Sequence, residues 1–248
     1  MLQAVFWDVD GTIAETEMQG HRKAFNKAFN YFNLDWYWSV RTYTSLLEVT
    51  GGRNRIKYFA QNNSLNLNSE LINDIHFKKQ EFYKSIINKG EIPLREGVFR
   101  LINELKDKSV MQVIVTTSSR LAVIPLLEKH FKCIYDIFDA IYTFEDVINT
   151  KPHPEIYIKA KNDINLSSKD ILVIEDSLQG YKSANEAGLN VLITLPIWNC
   201  AISPEMTDCL SIVDNLGSES KKSTFYSQNE SINGFVDYTY LNKLLIDN

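Results

Sequence analysis

Little in this chain points to the cell exterior or to a membrane. Only three of its 248 residues are cysteines (Cys133, Cys200 and Cys209), an odd number, widely spaced and without a Cys-x-x-Cys pair. That scarcity argues against a disulfide framework or a zinc site and fits a reducing compartment. No apolar run approaches the roughly 18 residues that a membrane span needs, and the stretch before Asp8 carries neither a basic n-region nor a long h-region. The expectation is a cytoplasmic protein with no membrane partner, its mature chain starting at or near Met1. Positive charge is also in short supply: 26 Lys and Arg stand against 31 Asp and Glu, a net of −5 with the histidines neutral. This balance advertises no nucleic-acid or anionic-surface partner, so any anionic substrate has to be met by local cations. No internal repeat is visible.

What the chain does have is apolar material, 44% of its residues. That is enough for a sizeable core in one large domain or two smaller ones, and it excludes general disorder. Its most informative stretch is Val5-Phe6-Trp7-Asp8-Val9-Asp10-Gly11-Thr12, an apolar run that breaks into two carboxylates beside a glycine. The run reads as a buried strand and the acids as its functional end. Side chains at i and i+2 lie on one side of a strand, so Asp8 and Asp10 converge. Like charges held that close call for a divalent cation or a shared proton. A calcium loop is the competing reading. It wants glycine at its sixth position and glutamate at its twelfth, where this chain has Ile13 and Gln19.

The pattern changes twice along the chain. From Glu17 to Phe32 apolar residues recur at helical spacing, and further helical patterns cover Tyr43–Leu47, Arg53–Gln61 and Ser69–Ile87, so residues 15–91 read as all-helical. From Pro93 onward strand and helix alternate. Strands are expected at Val110–Val115, Ala140–Tyr142, Ile171–Ile174 and Asn190–Thr194, with helices between them. Alternation of this kind indicates a parallel sheet covered on both faces, which the isolated first strand joins most simply. The expected fold class is α/β. A Rossmann-like core (1–14 and 92–248) takes an all-helical insertion (15–91), placed to act as a lid. The segment 218–233 reads as loop and Tyr238–Ile246 as a short final helix.

Three more polar clusters sit where core strands end. Thr116-Thr117-Ser118-Ser119-Arg120 offers hydroxyls and backbone N–H groups at a helix start, which suits phosphate as well as a plain helix cap. Lys151 stands in a loop stiffened by Pro152 and Pro154. Glu175-Asp176-Ser177 ends another apolar strand, ahead of Gly180. Ligands bind at the carboxyl ends of the strands in a doubly wound sheet, so these clusters face one crevice. Four carboxylates, a lysine and a hydroxyl-rich loop amount to a magnesium-dependent phosphate site.

The four clusters in this order resemble the haloacid dehalogenase superfamily of phosphohydrolases. The insertion after the first is similar to the cap of its phosphoglycolate phosphatase and β-phosphoglucomutase branch. A narrower resemblance, to the CbbY group of xylulose-1,5-bisphosphate phosphatases, lies in 14–17, Gly20-His21-Arg22-Lys23-Ala24-Phe25-Asn26, Trp36-Tyr37-Trp38 and 49–56. The resemblance implies Asp8 as nucleophile and Asp10 as general acid and base, with Mg²⁺ held by Asp8, the Asp10 carbonyl, Glu175 and Asp176. Thr117, Ser118 and Lys151 would bind the transferred phosphate. Glu17, His21, Gly52, Arg53, Arg55, His76 and Lys79 of the cap, with Arg120 of the core, are the candidates for the rest of a sugar bisphosphate. Trp36 and Trp38 are read as cap core. The expected partner is that small molecule, with a monomeric enzyme and only a functional link to Rubisco. The rivals are β-phosphoglucomutase, phosphoglycolate phosphatase, and a catalytically silent phosphate-binding module.

Overall fold

A computed structural model describes residues 1–248 apart from Thr50, Asn66, Asn199, Cys200, Thr207, Gln228, Asn229 and Asn248. Two positions used above, Thr50 and Cys200, thus lie outside the described residues. In chain order the first elements are β1 (Ala4–Trp7), α1 (Arg22–Tyr31), α2 (Val40–Leu46), α3 (Gly52–Asn62), α4 (Ser69–Asn88) and α5 (Val98–Asp107). There follow β2 (Met111–Val115), α6 (Arg120–Glu128), β3 (Ala140–Tyr142), α7 (Glu155–Ile164) and β4 (Ile171–Glu175). The last are α8 (Leu178–Glu186), β5 (Asn190–Thr194), β6 (Ser211–Val213) and α9 (Tyr238–Ile246).

The chain divides into two compact units, Met1–Glu15 with Leu94–Asn248, and Thr16–Pro93. These boundaries fall one residue after 14 and two after 91. Backbone pairing explains the shift: Ala14 bridges Leu94 and the Arg95 amide donates to the Ile13 carbonyl, which keeps Glu15 and Leu94 with the sheet.

The first unit is built on six strands in the order β3-β2-β1-β4-β5-β6, every neighbouring pair parallel. Sheets of this kind are covered on both faces, which is why β1, β4 and most of β2 are continuous apolar runs without alternation. Phe6, Val113, Val173 and Val191 share one core cluster with Ile156 and Tyr157 of α7 and Tyr181 and Ala184 of α8. Trp7 fits in the buried strand because its indole N–H donates to Gln112 Oε1 at 3.2 Å, so no polar group is stranded. In register Trp7 lies opposite Ile114 of β2 and Ile174 of β4, so the strand ends that follow are neighbours. The sequence reading missed β6, whose three residues are too few to display a period, and the strand adds to the edge of β5.

The second unit consists of α1 to α4. Phe25, Phe29, Trp38 and Tyr43 are fully buried there, with the Trp38 ring 4.6 Å from Phe25 and 4.7 Å from Phe29. Trp36 packs edge-on against Phe29 and Phe59, so both tryptophans are packing residues as expected. The helix expected from Glu17 begins instead as a π-helical turn over Thr16–His21. Its wider winding is a common local adjustment at functional positions.

Candidate active site

Each catalytic candidate of the first unit sits at the carboxyl end of a strand. Asp8 follows β1 directly and is almost completely buried. The next four residues turn sharply: the amides of Thr12, Ile13 and Ala14 all point to the Val9 carbonyl, and Gly11 adopts φ +87°. That conformation favours glycine, and space demands it too, since a Cβ there would lie 2.0 Å from Asp176 Oδ2. The turn therefore brings the β1 loop directly against the acid that follows β4.

Lys151 Nζ lies at the centre of the site. It donates to Asp8 Oδ1 at 2.8 Å, to Glu175 Oε1 at 2.6 Å and to the Val115 carbonyl at 2.8 Å, which uses all three of its protons. Burial alone would drive the ammonium to give up a proton, but Asp8 and Glu175 outweigh it and hold its pKa well above the ordinary value. The Tyr157 hydroxyl adds a 2.8 Å bond to the same Glu175 oxygen, and its ring lies under the ammonium, 4.9 Å from Nζ. The other Glu175 oxygen accepts from the Asp176 amide and the Ser177 hydroxyl.

Asp8, Glu175 and Asp176 can each aim one oxygen at a common point, these oxygens lying within 4.8 Å of one another. Three hard oxygen donors in a buried pocket suit Mg²⁺. Burial pushes the Asp8 carboxyl up to about 7, with Glu175 and Asp10 adding to the rise and Lys151 opposing it. Asp176 is raised well above the usual carboxylate range for the same reason, burial first and then Asp8 and Glu175. Negative charge in excess of the fixed cations is what a divalent ion would neutralise. The Asp10 carboxylate does not join that three-acid group. Ser118 Oγ donates to it, which ties the β1 loop to the loop after β2.

Thr117 is exposed in that second loop, and the Ser118 amide donates to Thr116 Oγ1 at 3.1 Å. Arg120 is engaged within its own unit, with a 2.8 Å ion pair to Asp146 and a bond to the Ile141 carbonyl.

The second unit gathers its own polar cluster. Tyr43 OH donates to Glu17 Oε2 at 2.7 Å and accepts from Arg55 Nη1 at 3.2 Å, while Arg55 Nε holds the Val49 carbonyl. Lys79 Nζ donates to His21 Nδ1 at 2.8 Å, and the His21 ring stacks on Tyr83 with centroids 3.9 Å apart. Burial, then Lys79, Arg55 and His76, keep the His21 imidazole far below its usual pKa and hence neutral at pH 7. His76 is held at about 4 by burial, Lys79 and Arg53. Gly52 lets that ring approach, since a Cβ there would meet His76 Cδ2 and Nε2 at 2.8 Å. Six of the candidate residues thus touch or electrostatically perturb one another, and Glu17 reaches them through Tyr43.

Sequence reasoning missed two residues of the first unit. Tyr157 lies on the buried face of α7, three residues past Pro154, where an aromatic reads only as core. Arg95 is 5% exposed and ion-paired with Glu15 at 3.1 Å; its remaining donors go to backbone carbonyls, which leave no trace in a sequence.

Comparison with known proteins agrees with this geometry. The profile of the haloacid dehalogenase-like hydrolase family matches residues 5–194. Protein CbbY of Rhodobacter capsulatus is 39% identical over 194 residues, spanning 78% of this chain and 85% of that protein. A crystal structure of CbbY from Rhodobacter sphaeroides in complex with phosphate superposes with a TM-score of 0.74 at 33% identity, covering 87% of this chain and 95% of that one. A mutant of the same protein in complex with xylulose-(1,5)bisphosphate gives a TM-score of 0.74 at 32% identity, with the same coverage.

Proposed function

Since the chain belongs to the haloacid dehalogenase-like hydrolase family and is a phosphatase of that family, we propose that it is a Mg²⁺-dependent sugar bisphosphate phosphatase that releases the 1-phosphate of xylulose 1,5-bisphosphate. The observation that carries the reading is the convergence of Asp8, Glu175 and Asp176, from the ends of the adjacent strands β1 and β4, with Lys151 from the loop before α7. The choice of sugar rests on the similarity to CbbY, whose structure holds that ligand.

The residues divide the reaction between them. An Asp8 carboxylate oxygen attacks phosphorus, and the bond from phosphorus to the sugar oxygen breaks as an aspartyl phosphate forms. Asp10, protonated at this stage, gives its proton to the departing oxygen. In the second half it takes a proton from water, whose oxygen attacks the same phosphorus and frees Asp8 and inorganic phosphate. Lys151, Thr117 and the Ser118 amide meet the oxygens on which charge accumulates. When bound by Asp8, Asp176 and the Asp10 carbonyl with help from Glu175, Mg²⁺ lowers the repulsion between the anionic nucleophile and the phosphate. Glu175 also fixes Lys151 and is in turn fixed by Tyr157.

The second phosphate needs cations that the net charge does not provide. Arg53, Arg55 and Lys79 are the proposed cations, with the neutral His21 and His76, Gly52 and Glu17 completing the set, and their mutual clustering in the helical unit supports the assignment. Arg120 is the weakest candidate, because Asp146 already neutralises it.

Phosphate release with Mg²⁺ and with EDTA tests the reading, comparing xylulose 1,5-bisphosphate with ribulose 1,5-bisphosphate, 2-phosphoglycolate and β-glucose 1-phosphate. Preference for the first, lost in EDTA and in Asp8→Asn, is the expected result. Preference for another ester would discard the sugar, and isomerised sugar phosphate without phosphate release would replace the phosphatase by a mutase.

A further inference from the structure

We propose that Arg95 is a positioning residue for the general acid, holding the Asp10-Gly11 turn against the carboxyl ends of β5 and β6. The inference rests on the reading of Asp10 given above and adds a residue to it. A guanidinium has five N–H donors in one rigid plane. All five are used here. Nε pairs with Glu15 Oε1 at 3.1 Å, Nη1 donates to the Gly11 and Thr194 carbonyls, and Nη2 donates to the Leu195 and Asp214 carbonyls. Three of these acceptors lie at the ends of β5 and β6, which are the fixed part of the arrangement. The fourth carbonyl belongs to Gly11, the residue directly after Asp10, so the guanidinium transmits the position of the sheet to the turn.

The far end of the turn is tied by backbone, through the Ala14–Leu94 bridge and the Arg95 amide on the Ile13 carbonyl. Its amides from Thr12 to Ala14 point inward to the Val9 carbonyl, and the Gly11 amide goes to Ala14 within the turn. Ser118 Oγ fixes the Asp10 carboxylate from the side chain, and Arg95 fixes the following peptide from behind. A proton donor must lie within hydrogen-bond reach of the leaving oxygen, and an error of about 1 Å costs on the order of a hundredfold in rate. Burial and charge make the arrangement costly to maintain, since Arg95 is 5% exposed and Glu15 6% exposed. Burial lowers the pKa of Arg95 and raises that of Glu15, each change opposed by its partner. An ion pair buried for stability alone would be replaceable by apolar side chains of similar volume.

A merely structural arginine and a positioning one differ in how their loss depends on the leaving group. A sugar alkoxide needs a proton as it departs, whereas p-nitrophenolate does not. Turnover of xylulose 1,5-bisphosphate and of p-nitrophenyl phosphate is therefore compared, with saturating Mg²⁺ and well below each variant's Tm, for wild type, Asp10→Asn, Arg95→Met and Arg95→Lys. Both esters share the hydrolysis of one aspartyl phosphate, in which Asp10 is the base, so the losses are compared in kcat/KM, which reports the steps up to leaving-group departure. A loss of about a hundredfold or more is expected for Asp10→Asn on the sugar ester and far less on the aryl ester. Arg95→Met is expected to follow the same pattern, with a kcat/KM loss on the sugar ester at least about tenfold larger than on the aryl ester. Should Arg95→Met not fold, Arg95→Lys, which keeps the charge and loses the planar fork, carries the same comparison. Equal losses on the two esters for the Arg95 variants, with Asp10→Asn discriminating between them, would overturn the positioning role and leave the phosphatase reading intact. Equal losses for Asp10→Asn itself would overturn the assignment of the acid and the inference with it.

Discussion

At the scale of single residues the site is a contest between burial and charge, and Lys151 decides it. Its three bonds to Asp8, Glu175 and the Val115 carbonyl make it a fixed cation, and Glu175 is fixed in return by Tyr157 and the Asp176 amide. The closest approach in this network is at Gly180, where a Cβ would lie 1.9 Å from the Glu175 carboxyl carbon. Gly180→Ala must therefore displace that carboxylate, and Lys151 loses its 2.6 Å partner. The expected outcome is a kcat at least about tenfold lower, since the loss falls on the group proposed to stabilise the transition state. Steady-state kinetics beside a thermal melt check it, and unchanged kcat would show that Glu175 does not position Lys151. The carboxylates of this network were legible in the sequence because they interrupt apolar strands, where a solvated acid has no business. Tyr157 was not, because an aromatic on an apolar helix face gives no sign that its hydroxyl points at an acid. Arg95 was hidden for a related reason: its partners are mostly backbone carbonyls, and only the folded chain brings them together.

At the scale of elements the sheet order accounts for the chemistry. Strands β1 and β4 are far apart in sequence and adjacent at the centre of the sheet, so Asp8 and the pair Glu175-Asp176 emerge side by side at its carboxyl end. Long apolar runs with turn chemistry at their ends made these strands easy to foresee, and alternating helices made their parallel arrangement so. Short or locally controlled features were not foreseeable. The three residues of β6 have no period, and the π-helical turn over Thr16–His21 has no signature in the apolar spacing that announces an α-helix. In the helical unit, the stripe Ala24, Phe25, Ala28 and Phe29 of α1 marks the buried face. The extended segment before α2 plugs into it: Trp38 packs on Phe25 and Phe29, and Asn26 bonds both the amide and the carbonyl of Trp38. Trp38→Ala is expected to destabilise the unit by about 3–5 kcal/mol, the usual cost of deleting a large buried aromatic. Denaturant unfolding followed by tryptophan fluorescence measures it, and a loss under about 1 kcal/mol would mean that the indole is dispensable to this core.

At the scale of the whole molecule the buried acids tie stability to pH and to metal. Asp8 titrates at about 7 in the folded protein and near its ordinary value in the unfolded chain, and Asp176 is shifted in the same direction. Between roughly pH 4 and pH 7 these carboxyls have thus released protons in the unfolded state that the metal-free folded state retains, and their contribution to stability falls as pH rises through that window. Each such group contributes at most about 1.4 kcal/mol per pH unit. Lys151 is charged in both states throughout and adds no slope there, while the half-buried acids held low, Asp146 and Glu155 among them, act mainly below the window. The neutral His21 and His76 oppose the acids up to about pH 6.5, where the unfolded imidazoles release their protons. A divalent cation that binds the folded state alone replaces the protons and restores stability by mass action. The expected outcome in EDTA is a wild-type Tm that falls relative to that of Asp8→Asn, which has no charge to desolvate, as pH rises from 5 to 7.5, and a smaller divergence with millimolar Mg²⁺. The variant should then be more stable than wild type at pH 7.5 without metal and gain less from Mg²⁺. Parallel profiles for the two proteins in EDTA would mean that the acid cluster is not the source of the strain, because removing one of its charges would have left the linkage unchanged.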